Sequence, residues 1–126
     1  MTIAYWCVFV MICLPYLFNQ IAKFGMPIEE NRRPREYLDG LEGRQKRADW
    51  AHRNTLEVLP GFIAAVLVAH LCSVEQRYLD AICVSYVVLR VAYGFFYMAD
   101  KHVLRSACWM MSFGCIVAMF VMAGLT

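Results

Sequence analysis

The fold is decided by the stretch RADWAHRNTLEVLP, from Arg47 to Pro60. It begins as a basic surface segment and leads into the apolar run from Gly61 to Cys72. Between the two it carries charged side chains into the apolar zone, where each costs about 2.5–3.5 kcal/mol on membrane-insertion scales. A chain keeps such groups only where they are paired or face something polar. The function therefore depends on what these side chains face.

Composition and segment length indicate a protein that spans a membrane. Hydrophobic residues make up 61% of the 126 residues, well above the roughly 45–50% of a soluble domain. Apolar segments mark helices at about 2–22, 44–72, 77–99 and 103–125, and about 20 residues at about 1.5 Å each cross a hydrocarbon core of about 30 Å. The sequence predicts an all-α membrane protein, a single four-helix antiparallel bundle over residues 1–126. We expect the first helix to be retained, because no basic region precedes it and no small-residue cleavage site stands out.

The distribution of charge predicts the orientation of the helices. The first and third loops hold most of the basic residues: Lys23, Arg32, Arg33, Arg35, Arg44, Lys46, Arg47, Lys101 and Arg105. The second turn carries only Arg77. The positive-inside rule places loops one and three in the cytoplasm and both termini outside. Because acidic residues are interleaved in the first loop, a topology signal explains its basic residues better than a nucleic-acid surface does.

The spacing of cysteines and histidines gives no sign of a disulfide or a metal. The six cysteines are scattered singly through apolar segments, without a CxxC pair. We interpret them as free thiols that pack as small hydrophobic side chains. His52, His70 and His102 have no ligand partners at metal spacing, so no metal is expected.

Helix depth brings two oppositely charged residues to one level. Asn54 and Glu57 lie roughly 10 residues, or about 15 Å, past the cytoplasmic start of the second helix. Arg90 lies at a similar depth on the antiparallel third helix, about 10 residues before its end near Asp100. We therefore expect an ion pair between Arg90 and Glu57. Arg53, four residues before Glu57, could share that carboxylate.

Helical spacing collects polar residues on one stripe of each of these helices. The stripes consist of Arg47, Asn54, Glu57 and Gly61 on the second helix and of Tyr86, Arg90, Tyr93 and Tyr97 on the third. Arg105 opens the fourth helix near the level of Tyr97. Together these residues would line a cationic, hydroxyl-bearing cleft that opens to the cytoplasm.

Two roles are open for this constellation. Polar side chains commonly hold membrane helices together, so a network that fixes helix register is favoured for Asn54 and Glu57. A ligand-facing role is favoured for Tyr93, Tyr97 and Arg105, because two hydroxyl groups beside a cation suit an anion or a thiolate.

These polar motifs resemble the MAPEG superfamily, the membrane-associated proteins in eicosanoid and glutathione metabolism. The resemblance rests on the pattern Arg47-x-x-x-Ala51-x-x-Asn54-x-x-Glu57-x-x-Pro60, followed by Arg90-x-x-Tyr93-x-x-x-Tyr97 and a basic residue that opens the fourth helix. The loop motif Asn31-x-x-Pro34-Arg35-Glu36 resembles the short bacterial branch. Length, helix count and topology match over the whole chain.

The resemblance implies a homotrimer of four-helix bundles in the bacterial inner membrane. It implies glutathione at the subunit interfaces on the cytoplasmic side, and an apolar electrophile that arrives from the bilayer. By position, the glutathione site would include Asn54, Glu57, Arg90, Tyr93 and Tyr97. Arg105 would be the catalytic residue, which lowers the pKa of the glutathione thiol and stabilises the thiolate.

Two positions depart from the family pattern. Trp50 stands where members with established glutathione chemistry usually have an arginine that holds a glutathione carboxylate. Tryptophan cannot supply that charge, so Arg47 or Arg53 is the candidate to bind the carboxylate instead. The gap between Tyr97 and Arg105 also varies among branches of the family.

Three functions are consistent with these features. The leading hypothesis is a glutathione transferase or peroxidase that acts on lipophilic electrophiles. The second is a non-catalytic trimer that binds lipid or a protein partner, which Trp50 favours. The third is a small four-helix multidrug transporter, against which the long basic loop and the two membrane arginines argue.

Overall fold

Four long helices dominate the computed structural model, which describes residues 1–126. They are α1 (Ile3–Ala22), α3 (Gly43–Leu71), α4 (Gln76–Met98) and α5 (His102–Leu125), with a 3-10 turn (Ile28–Arg32) and a short helix α2 (Pro34–Asp39) between α1 and α3. Each bound of the long helices lies within one residue of the prediction. All four are long and apolar enough to cross a membrane. The predicted all-α fold is confirmed, and the chain is an integral, multi-pass membrane protein.

The turns that follow α3 and α4 are built alike. At each, a residue with positive φ ends the helix, Ser73 at 59° and Asp100 at 60°. Ser73 and Val74 donate backbone hydrogen bonds to the last turns of α3, and Asp100 and Lys101 do the same for α4. These bonds satisfy helix carbonyls that otherwise lack a partner. Each turn therefore reverses the chain within a few residues, so that α3, α4 and α5 are consecutive antiparallel neighbours.

Small residues let the helices approach one another closely. Helix α1 packs against α3 and α4, and α5 packs against α4 and α3. Four alanines of α3 are fully buried: Ala48, Ala51, Ala65 and Ala69. Small side chains at such positions allow helix backbones to come together in a membrane. Between α1 and α4 the Phe18 ring occupies the space beside Gly94, where a Cβ atom would overlap it.

The first turns of α3 tie neighbouring elements together. Lys46 Nζ donates a hydrogen bond to the carbonyl of Leu38, 2.8 Å away, near the end of α2. Arg47 donates to the carbonyl of Met98, the last residue of α4, from Nε at 3.1 Å and from Nη2 at 3.0 Å. The last carbonyls of a helix have no partner within it, so both cations act as caps. They hold α2 and the end of α4 against α3.

The cysteines take part in no covalent link. All six are free, and Cys13 and Cys72 are exposed. Cys7, Cys83 and Cys108 are buried, and Cys83 Sγ lies 3.9 Å from Met119 Sδ. They pack as ordinary side chains of the bundle core.

Candidate functional site

A cavity of about 510 Å³ opens between α3, α4 and α5. We call it the main cavity. Its lining comprises Trp50, Arg53, Asn54 and Glu57 from α3, Tyr93 and Tyr97 from α4, and Arg105, Ser106 and Trp109 from α5. Six of the eight residues proposed for the site from sequence therefore line one cavity: Arg53, Asn54, Glu57, Tyr93, Tyr97 and Arg105. Arg47 and Arg90 do not.

Cations and aromatic rings alternate from the buried Arg90 to Arg105 in the lining of the main cavity. The Arg90 guanidinium carbon lies 4.1 Å from the centre of the Tyr93 ring. The rings of Tyr93 and Tyr97 meet edge to face, with centroids 5.7 Å apart. The Arg105 guanidinium carbon lies 4.4 Å from the centre of the Tyr97 ring. Cation–π contacts of this kind hold each guanidinium in place. The Tyr97 ring, which packs against Tyr93, therefore orients Arg105.

Arg105 carries the uncommitted positive charge of the main cavity. It forms no ion pair with any carboxylate of the chain. It is half-buried in the first turn of α5. A tyrosine face attracts a guanidinium without neutralising it. Arg105 therefore presents a full positive charge to any ligand in the main cavity.

Arg90 links α4 to α3 beneath the main cavity. Its side chain is fully buried, and Nη2 donates hydrogen bonds to Asn54 Oδ1 at 2.9 Å and to Thr55 Oγ1 at 3.0 Å. The predicted ion pair between Arg90 and Glu57 is wrong. Asn54, one turn earlier on α3, lies between them and donates from Nδ2 to Glu57 Oε2 at 3.3 Å. The Asn54 amide therefore bonds to the Arg90 guanidinium, and the Glu57 carboxylate stays exposed in the main cavity.

Arg53 also has partners other than the expected one. It was predicted to share Glu57, but its Nη2 lies 2.8 Å from Asp39 Oδ1 and its Nε lies 3.1 Å from Asp49 Oδ2. Asp49 lies one turn before Arg53 on α3, and the short helix α2 brings Asp39 alongside. Two carboxylates therefore neutralise this guanidinium at the edge of the main cavity.

Arg47 lies outside the main cavity. Its guanidinium caps α4 at Met98, because the carbonyl that ends α4 needs a donor. It lines a smaller cavity of about 400 Å³ where the start of α3 meets the end of α4, together with Leu41, Glu42, Gly43, Lys46, Trp50 and Asp100. The stripe predicted for α3 is thus divided, with Asn54 and Glu57 on one side and Arg47 on the other.

Trp50 forms the boundary between these two cavities. It lines both of them. Its ring centroid lies 6.2 Å from that of Tyr97, and Lys46 Nζ lies 5.8 Å from its ring centre. This edge of the main cavity is therefore aromatic.

Several residues of the site were not anticipated from sequence. Ser106 and Trp109 line the main cavity, and Thr55 accepts a hydrogen bond from Arg90. The positions of Ser106 and Trp109 along α5 could have indicated that both face the main cavity. Ser106 adjoins Arg105, and Trp109 lies one turn further along α5, on the same face. No group of His, Cys, Asp and Glu residues is arranged to hold a metal ion.

Comparison with known proteins identifies the family of the chain. No curated protein and no solved structure matches the chain. The sequence profile of the MAPEG family matches residues 3–125, nearly the whole chain. Four helices long and apolar enough to span a membrane accord with that match. The chain belongs to the MAPEG family, the membrane-associated proteins in eicosanoid and glutathione metabolism.

Proposed function

We propose that this protein is a membrane glutathione transferase or peroxidase that acts on lipophilic electrophiles. The observation that carries the proposal is the uncommitted guanidinium of Arg105, held over the Tyr97 ring at 4.4 Å inside a polar cavity. A cation beside a thiol favours its charged, nucleophilic form. The hydroxyl groups of Tyr93 and Tyr97 are donors suited to the same anion.

The other polar residues of the main cavity fit glutathione in part. Glutathione carries one ammonium group, two carboxylates and a thiol. The exposed carboxylate of Glu57 suits the ammonium group, and Arg105 suits the thiolate. Arg53 is already paired with two carboxylates of the chain, so the glutathione carboxylates lack a free cation within one chain. We infer that the protein works as a homotrimer, in which a neighbouring copy completes the site.

Glutathione and the protein have separate roles in the proposed reaction. Glutathione, when bound, supplies a thiol that displaces a leaving group from carbon or reduces a peroxide. Arg105 holds the negative charge on sulfur, and Tyr97 orients Arg105 through the contact of its ring face. Trp109 and Trp50 provide aromatic surface in the same cavity. An apolar electrophile that enters from the bilayer would lie against that surface.

The proposed location is the bacterial inner membrane, with loops one and three in the cytoplasm and both termini outside. This orientation follows from the basic residues of those loops. Large apolar side chains point outward along α1 and α5 and suit contact with lipid: Trp6, Phe9, Met110, Phe113 and Phe120. The main cavity would then lie at the cytoplasmic half of the membrane, where a water-soluble thiol and a lipid-soluble electrophile meet.

Replacement of Arg105 tests the proposal. We expect Arg105→Ala to lower thiol conjugation of chlorodinitrobenzene in detergent by about a hundredfold to a thousandfold, as loss of one electrostatic stabiliser does elsewhere. Arg32→Ala is the matched control, since Arg32 is an exposed arginine of loop one outside the main cavity. Conjugation that is unaffected by Arg105→Ala would refute the mechanism.

A second function is favoured by Trp50. A family-like trimer that binds lipid or a protein partner needs the polar network only for assembly. Trp50 places an indole ring, not a cation, at the edge of the main cavity. Calorimetry that detects no heat with glutathione, alongside an intact trimer, would support this function over catalysis.

A further inference from the structure

Arg53 stands between the main cavity and the short helix α2. It lines the main cavity, and it also lines a cavity of about 320 Å³ on the α2 side of α3. We call the latter the α2 cavity. Its lining comprises Arg35, Leu38, Asp39, Asp49, His52, Arg53 and Leu56. The α2 cavity has no part in the proposed chemistry, yet it shares an arginine with the site.

Two carboxylates of unequal exposure hold the Arg53 guanidinium. Asp49, one turn earlier on α3, has a side chain that is 1% exposed, whereas the Asp39 side chain is 64% exposed. Lys46 Nζ lies 3.6 Å from Asp49 Oδ2 and donates to the carbonyl of Leu38 on α2 at 2.8 Å. Asp49 is therefore a fixed partner of Arg53, and Asp39 is a partner that arrives with α2.

The two arginines of the main cavity therefore differ in how far carboxylates of the chain compensate their charge. Arg105 has no carboxylate partner in the chain, while Arg53 has two. A ligand carboxylate that approaches Arg53 meets a charge that is already compensated. Displacement of Asp39 leaves Arg53 with one partner, because Asp49 is buried on the same helix as Arg53.

We propose that Asp39 is a positioning residue that competes with the ligand for Arg53, so that the position of α2 sets the affinity of the main cavity for an anionic thiol. The inference rests on the proposed function, because it takes the ligand to be glutathione, one carboxylate of which competes with Asp39 for Arg53. Thermodynamic linkage makes the coupling reciprocal. A ligand carboxylate on Arg53 loosens α2, and movement of α2 away from α3 strengthens binding of the ligand.

Asp39→Asn is the variant that tests this competition. It removes the charge of an exposed side chain and keeps its shape, and it leaves the buried Asp49–Arg53 pair in place. Glu36→Gln is the matched control, because Glu36 lies on the same helix and pairs only with Arg33, at 3.6 Å, with both side chains more than 70% exposed. Two ligands separate charge from shape: glutathione, and its diester, which lacks both carboxylates.

Calorimetry in detergent measures the effect on affinity. We expect Asp39→Asn to tighten glutathione binding about two- to fivefold, the range for loss of one exposed ion pair. Binding of the diester should stay unchanged in Asp39→Asn, and Glu36→Gln should change neither ligand. Unchanged or weaker glutathione binding in Asp39→Asn would overturn the proposal.

Chemical modification of Arg53 provides a readout that needs no thiol ligand. Phenylglyoxal modifies free guanidinium groups, and mass spectrometry of peptides gives the rate at Arg53 alone. We expect this rate to rise severalfold in Asp39→Asn and to stay at the wild-type value in Glu36→Gln. An unchanged rate in Asp39→Asn refutes the competition whether or not glutathione binds. Absence of glutathione binding in all three proteins, with a raised rate in Asp39→Asn, instead refutes the proposed function and with it the assignment of Arg53 to a thiol substrate.

Discussion

The buried guanidinium of Arg90 bonds to the side-chain amide of Asn54, with 2.9 Å between Nη2 and Oδ1, and not to the carboxylate of Glu57. Neutral acceptors and the face of Tyr93 thus hold a charged group that is fully buried in the bundle. The arrangement separates the residue that holds the helices together from the residues that face the main cavity. Glu57 is left available to a ligand.

Removal of the Asn54 amide is expected to destabilise the bundle. In Asn54→Ala the Arg90 guanidinium loses one of its two hydrogen bonds while it stays buried. Loss of a hydrogen bond to a buried charged group costs about 1.5–3 kcal/mol. Titration with a denaturing detergent, followed by circular dichroism, measures the free energy of unfolding. Glu57→Gln serves as the comparison and should leave that free energy nearly unchanged; a larger loss in Glu57→Gln than in Asn54→Ala would contradict the arrangement.

Substitution of Gly94 is expected to separate α1 from α4. A Cβ atom at Gly94 would overlap the buried ring of Phe18. Overpacking of this kind costs about 1–3 kcal/mol, because the ring and backbone must shift. We therefore expect Gly94→Ala to lower the free energy of unfolding by that amount.

Gly114 provides the control for Gly94→Ala. A Cβ atom there would meet no heavy atom within 4 Å, so Gly114→Ala should be neutral or should raise the free energy of unfolding by about 0.5–1 kcal/mol through helix propensity. Equal effects of the two substitutions would show that Phe18 does not fill the space beside Gly94.

The turn after α3 is expected to tolerate glycine better than serine. Ser73 has a φ of 59°, which a residue with a Cβ atom adopts at a cost of about 1–2 kcal/mol. Glycine removes that cost but loses more entropy on folding, so Ser73→Gly should raise the free energy of unfolding by about 0.5–1 kcal/mol. Ser85→Gly, in the interior of α4, should lower it by a similar amount. A loss of stability in Ser73→Gly would contradict the left-handed conformation of this turn.

The membrane-spanning helices could be predicted closely because hydropathy is a local property. Each apolar segment fixes its own helix, and each basic or turn-forming segment ends one. The partner of Arg90 could not be predicted in the same way. Depth along a helix gives the level of a residue, but Asn54 and Glu57 lie within one turn of each other and on neighbouring positions of the same face. Depth therefore could not decide between an amide and a carboxylate.

The surroundings of the arginines depended on contacts between distant parts of the chain. The carboxylate of Asp39 reaches Arg53 only because α2 folds back along α3, and loop sequences carry no periodic signal for such docking. Arg47 was assigned to the site by its spacing, yet the unsatisfied end of α4 takes its guanidinium. In both cases the long arginine side chain reaches a partner on another helix, the Asp39 carboxylate or the Met98 carbonyl. Spacing along one helix does not identify such a partner.

An arginine introduced at Trp50 is expected to strengthen glutathione binding. Trp50 lines the main cavity with its ring 6.2 Å from that of Tyr97, so Trp50→Arg adds a free cation where the chain has none. We expect about tenfold tighter binding by calorimetry, which corresponds to about 1.4 kcal/mol and is close to the low end for a hydrogen bond to a charged group. Trp50→Phe keeps an aromatic ring without the charge and should not tighten binding. Glutathione affinity that does not rise in Trp50→Arg would mean that no ligand carboxylate reaches this edge of the cavity, whereas binding found only in Trp50→Arg would favour the non-catalytic function for the natural chain.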